Sequence, residues 1–168
     1  MEPLRKAQTD DLKAIMEIIK GSQKIMHEMG IDQWTNGYPG EDSILEDIRQ
    51  SRCYVLVSEG KISAVEAICF DGEPTYSKIY QGSWKSSRSY AVIHRIASDP
   101  HLRRSGLGSC LLDAAQELAK SRGFHSLRAD THRDNIPMRN LLLKNGFTYC
   151  GIIYLASGAE RLAFEKLF

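Results

Sequence analysis

The sequence predicts a mixed α/β domain, and three observations predict it. Residues 90–131 read as strand, helix and strand (within "SYAVIHRIAS", "GSCLLDAAQELAKSR" and "SLRADTH"), which demands one right-handed parallel crossover. Upstream, "CYVLVSEGKISAVEAICF" is two apolar runs about a Glu59-Gly60 turn, the pattern of a hairpin. Downstream, "TYCGIIYL" and "RLAFEKLF" flank the turn SGAE as a second hairpin. The expectation is a mostly antiparallel sheet with one central parallel pair and flanking helices.

The elements follow in order. Residues 3–7 form a short strand. Thr9 caps a helix with Asp10 and Asp11 in its first turn and Leu12, Ile15, Ile18 and Ile19 on one face, extending or restarting through Met26. A loop rich in Gly and Pro, "EMGIDQWTNGYPGED", leads to a second helix over Ser43–Gln50. After the first hairpin, residues 71–89 are a polar connection. The helix from Gly108 to Arg122 is closed by Gly123, and that from Ile136 to Lys144 tolerates Pro137 in its first turn and ends at Gly146.

Composition sets the bounds. The 168 residues suit one domain spanning 1–168, and 42% hydrophobic with 26% charged residues is ordinary for a globular protein. A net charge of +1 offers no global field for nucleic acid or a membrane surface, so an anion site must be local. No apolar run approaches the roughly 18 residues of a membrane span, and "MEPLRKAQTDD" has no signal-peptide core. Cys53, Cys69, Cys110 and Cys150 show neither CxxC pairing nor His partners at metal spacing, so free cytoplasmic thiols and no metal are expected.

Chemistry concentrates where the strand ending in Asp99-Pro100 meets the helix. Arg103 and Arg104 are followed by Ser105, Gly106, Leu107, Gly108 and Ser109. A helix N-terminus presents unpaired N–H groups and about half a unit of positive charge. Glycine lets an anion approach the main chain, and arginines add charge-assisted contacts. The stretch is neither a Walker A loop nor a dinucleotide fingerprint, since Leu111 stands where a third glycine would be. A tight strand-to-helix turn explains the two glycines equally well.

Context decides between these. The order strand, Arg103-x-x-Gly106-x-Gly108, helix, strand, then "NIPMRNLLLKNGF" from Asn135 to Phe147 closely resembles the GNAT superfamily of acetyl-CoA-dependent N-acetyltransferases. Its pyrophosphate motif is R/Q-x-x-G-x-G/A, and its second motif is N-x-x-A/M-x-x-L-Y-x-K-x-G-F. The likeness covers nearly the whole chain. It implies a splayed parallel strand pair in which Ile96, Ala97 and Ser98 pair with the pantetheine arm. It also implies that N–H groups around 104–109 hold the pyrophosphate and that Asn135 hydrogen-bonds the arm. The cofactor so implied is acetyl-CoA, as acetyl donor. The motif's tyrosine, in many members the acid to the leaving thiolate, is Leu142 here, so the role is vacant or falls to Tyr149, Tyr154 or His132.

An amine reaches the thioester mostly as ammonium and must lose a proton. His94, two residues before Ile96 on the motif strand, is the first candidate base, since an imidazole titrates near 6.5; a histidine hydrogen-bonded within the sheet is the alternative. His132 is the second candidate. Trp34, Tyr38, Tyr76, Tyr80 and Trp84, with Glu73 or Asp130, either hold the acceptor's ammonium or simply cover the core. The favoured reading is acetyl transfer to a primary amine of a small molecule. A protein N-terminus or lysine acceptor, and a catalytically silent CoA-binding sensor, are the alternatives. Oligomeric state, a homodimer included, stays open.

Overall fold

The computed structural model describes residues 3–102 and 105–168. Arg103 and Arg104, both expected at the anion seat, lie outside the described residues. The chain divides into two compact units: residues up to Ile68 with Arg95–Ala114, and Cys69–His94 with Ala115–Phe168.

In the first unit β1 (Arg5–Lys6), β2 (Cys53–Ser58) and β3 (Lys61–Cys69) pair antiparallel in that order. Glu59 (φ 51°) and Gly60 (φ 72°) are both left-handed, as the twist-matched two-residue hairpin turn requires. Alternation along the strands makes two apolar faces. Cys53, Val55, Val57 and Val65 meet Ile15, Met16, Ile18 and Ile19 of helix α1 (Leu12–Glu28) and Ile44 of α2 (Glu41–Arg49). Leu56 and Ala64 meet Leu107 and Leu111 of α3 (Leu107–Ser121). Each aliphatic side chain so buried contributes about 1.5–3 kcal/mol. Thr9 proves to start a single 3-10 turn, and the cap bond is the Asp11 carboxylate accepting from Gln8 N at 2.7 Å.

Glu66 of β3 breaks the pattern. It is 0% exposed, and neither carboxylate oxygen has a hydrogen-bond partner among the described residues. Burial pushes its pKa well above the usual carboxylate value, so the folded chain keeps it protonated where the unfolded chain ionises it. Stability at this position therefore falls as the pH rises above about 4.5. Glu66→Met is expected to raise the midpoint of thermal unfolding, by a margin that widens between about pH 4 and pH 7. A margin independent of pH would show that Glu66 ionises freely in the folded protein.

In the second unit the strands run β4 (Tyr90–Ser98, through His94), β5 (Ser126–Thr131), β7 (Glu160–Leu167), β6 (Thr148–Tyr154). β4 and β5 are parallel and pair over Tyr90–Val92 with Ser126–Arg128, while β5–β7 and β7–β6 are antiparallel. Three residues past Val92, Arg95 has φ 52°, a left-handed residue inside a strand. Residue-by-residue alternation from His94 to Ile96, the simplest way to relate the two side chains, does not carry across it. Helix α4 (Ile136–Lys144) has the expected bounds; the Asn135 side-chain Oδ1 caps it by accepting from Met138 N at 3.2 Å.

The connection over 71–89 is packed down rather than loose. Glu165, 1% exposed, accepts from Ser126 Oγ (2.7 Å), Arg128 Nε (2.9 Å) and the Lys85 amide (2.6 Å). Arg128 also donates to Ser86 O at 2.6 Å and stacks under Trp84 and Tyr90, 4.2 and 3.8 Å from the ring centres. Further along, Tyr80 and Ile152 exchange two 2.8 Å backbone bonds, so the connection extends the sheet beyond β6. This approach needs glycine: a Cβ on Gly82 would sit 2.0 Å from Cys150 O.

Candidate active site

The first unit builds the glycine turn. After β4, Pro100–Leu102 form a 3-10 turn, and Ser105 N donates to Leu102 O at 3.2 Å. Gly106 follows with φ 84°; among the described residues nothing lies within 4 Å of where its Cβ would be. α3 starts at once, its first backbone bond running from Cys110 N to Gly106 O at 3.0 Å. Ser105 and Gly106 are exposed, and Gly108 and Ser109 are half-buried in the first turn. Leu107 buries its side chain against Leu111, so only its main chain is available to a ligand. An exposed, left-handed glycine opening onto a helix N-terminus fits an anionic group such as a pyrophosphate. Of the strand residues, Ala97 is buried, and Ile96 and Ser98 are half-buried.

The second unit builds a cluster of titratable groups around His94. The fold places His94 Nε2 3.3 Å from Glu73 Oε2, each side chain 23% exposed. The other Glu73 oxygen accepts from Thr75 N (3.1 Å) and Thr75 Oγ1 (3.0 Å). The His94 contact, followed by the Thr75 bonds and opposed by burial, draws the Glu73 pKa down to about 2. The stability this carboxylate supplies is thus complete above about pH 4.5 and lost as the pH falls toward 2. A carboxylate at Nε2 keeps the ring's proton there and leaves the lone pair on Nδ1, which has no hydrogen bond among the described residues. Beside them Tyr76, 2% exposed, donates to Asp130 Oδ2 at 2.6 Å, its ring centre 6.5 Å from that of His94. Burial raises the pKa of both Asp130 and Tyr76, so the phenol is a poor proton donor to a leaving group.

The remaining candidates separate. His132 accepts the Asp134 amide on Nδ1 at 3.0 Å, which occupies the atom a neutral base would use. Leu142 is 0% exposed, so the position of the family tyrosine is filled by core. Tyr149 and Tyr154 are exposed and pack edge-on against Phe164 and Tyr80. Trp84 is committed to Arg128, Tyr76 to Asp130, and Tyr38 faces Arg95 at 5.6 Å within the first unit. Asn135 is 4% exposed with its side-chain Oδ1 engaged in the α4 cap. The Glu73–His94 pairing is the feature that sequence reasoning missed: both residues were candidates, but for separate roles. Among the described residues no group of three or more His, Cys, Asp or Glu could hold a metal, and no helix is long and apolar enough to cross a membrane.

Comparison with known proteins agrees with this architecture. Residues 23–147 match the model of the acetyltransferase (GNAT) family. A GNAT-family acetyltransferase from Streptococcus agalactiae is 32% identical, with a TM-score of 0.89 over 98% of this chain and 94% of that one. The fold is shared with PaiA N-acetyltransferase from Thermoplasma acidophilum, solved in complex with coenzyme A (19% identity, TM-score 0.74, all of both chains). It is shared too with the ribosomal-protein-S18-alanine N-acetyltransferase of Escherichia coli (19% identity, TM-score 0.66, 99% of this chain and 94% of that one). No curated protein matches the sequence. An exposed glycine turn opening a helix after a strand, a parallel pair joined over three residues, and a family match over most of the chain converge: this chain belongs to the GNAT family of acetyltransferases.

Proposed function

We propose that the whole chain acts as one N-acetyltransferase domain that moves an acetyl group from acetyl-CoA to a primary amine on a small molecule, in the cytoplasm. Acetyltransferases of this family use acetyl-CoA, whose thioester supplies the activated acetyl group. The turn of Ser105, Gly106, Leu107, Gly108 and Ser109 would seat its pyrophosphate, helped by Arg103 and Arg104. The main chain of Ile96, Ala97 and Ser98, with Asn135, would hold its arm. The observation that carries the base assignment is the His94 ring, set by Glu73 with Nδ1 open. His94 Nδ1 takes a proton from the incoming ammonium, and Glu73 stabilises the imidazolium that forms; the freed amine attacks the carbonyl carbon, and the adduct breaks its C–S bond to release the CoA thiolate while the second N–H proton passes to solvent. No protein acid is required for the leaving thiolate, since a free thiol has a pKa of about 8.5.

The cofactor half of this reading has its own test. Acetyl-CoA is expected to raise the melting temperature by mass action, and Gly108→Val, which puts a branched side chain in the first turn of α3, is expected to abolish that rise. A folded Gly108→Val protein with unchanged affinity for acetyl-CoA by calorimetry would remove the glycine turn from the cofactor site.

A further inference from the structure

The second unit contains a groove that the proposed chemistry does not use. Paired residues in the strands share a face, so Val92, Arg128, Asp130, Ala163 and Glu165 lie on the side that carries His94 and Tyr76. Leu162, Phe164 and Ile152 alternate with these and point the other way, where they floor a groove of about 580 Å³. That volume lies in the range of small-molecule sites, and the lining joins apolar Leu143, Ile152, Leu162 and Phe164 to polar Gln81, Arg133, Arg139 and Tyr149.

The polar groups define the ligand. Arg139, one turn before the exposed Leu143 on α4, donates one bond, to Arg133 O at 2.9 Å, and has no carboxylate partner among the described residues. Arg133, by contrast, is neutralised by Glu160 at 2.5 Å. The rim therefore offers one uncommitted cation beside a neutral ion pair, a net single positive charge that matches a singly charged anion. Gln81, held left-handed at φ 53° in the strap across β6, and the Tyr149 hydroxyl add groups with no hydrogen bond among the described residues. Leu143, Tyr149 and Phe164 supply apolar wall for a ring-sized body.

We propose that this groove is a second small-molecule site, on the face of the second unit opposite His94, and that it takes a monocarboxylate with a compact aromatic or alicyclic body. Arg139 binds the carboxylate, Gln81 and Tyr149 complete its hydrogen bonds, and the ring lies on Phe164 and Leu162.

The test is calorimetric titration of the full-length protein, saturated with acetyl-CoA, with 3-phenylpropionate, and with 3-phenylpropylamine and inorganic phosphate as controls. The expected result is saturable one-to-one binding of the carboxylate alone, equal with and without acetyl-CoA. Arg139→Gln and Leu143→Glu, both changes at the groove's edge, should each weaken it roughly tenfold or more, as loss of a charge-assisted contact or gain of a repelling one implies. His94→Gln should leave it unchanged. Absence of saturable binding, competition with acetyl-CoA, equal binding of the amine or of phosphate, or binding indifferent to both groove variants would each overturn the proposal. None of these outcomes bears on amine acetylation, which is read separately by thiol release.

Discussion

Glu165→Ala is expected to cost about 3–5 kcal/mol of folding stability, because it strands a buried charge. Three donors converge on that carboxylate, and the Arg128 guanidinium, 5% exposed, would keep its charge with no counter-ion. The Lys85 amide would lose its acceptor as well, so the strap over 84–86 should loosen with it. Urea unfolding measures the loss. The double variant Arg128→Met with Glu165→Leu should recover much of it, since replacing both partners by apolar groups removes the orphan. A single variant that unfolds within about 1 kcal/mol of the parent would mean that the pair is open to water.

His94→Gln is expected to lower kcat/KM by at least about 10²-fold, the lower limit for a general base, while the KM for acetyl-CoA stays within a factor of about two. Glutamine keeps the size and a hydrogen bond to Glu73 but cannot take a proton near neutral pH. The parent's kcat/KM should fall on the acid side of its pH profile as the base is protonated, and the variant's should lack that limb. Glu73→Gln should retain more activity, with the acid limb moved to lower pH, because the carboxylate that stabilises the charged ring is gone. That shift separates orientation by Glu73 from a merely structural role, which would lower activity evenly across the profile.

The features legible in the sequence are those written locally. Gly106, Gly123 and Gly146 all take the left-handed φ that a turn into or out of a helix asks of glycine. The Glu59-Gly60 turn, the bounds of α4 and the order of six strands and two α-helices after residue 50 follow from the same short-range chemistry, although the last includes a crossover that only the handedness rule places. Boundaries drift where capping is indirect: Thr9 looks like a cap, but Asp11 makes the bond.

What the sequence conceals are partners made by long-range packing. Lys85 and Glu165 are 80 residues apart, and Tyr76 and Asp130 are 54 apart. An aromatic-rich connection reads as a place for a foreign ammonium, yet the cation under Trp84 and Tyr90 is the chain's own Arg128. Glu66 illustrates the opposite failure. Its place in "SAVEAI" puts it on a buried strand, but no local signal says that its carboxyl has no hydrogen-bond partner among the described residues. The contact of His94 with Glu73 belongs to the same class, since it depends on how an irregular stretch folds back on β4.

Amine-dependent thiol release from acetyl-CoA tests the central claim most directly. Purified protein is mixed with acetyl-CoA and a panel of small primary amines, free thiol is followed continuously, and the products are weighed by mass spectrometry. The account predicts that at least one amine raises thiol release far above hydrolysis and leaves N-acetylated, with the rate lost in His94→Gln. Tight binding of acetyl-CoA with no amine turnover, or turnover that survives in His94→Gln across the neutral range, would contradict it.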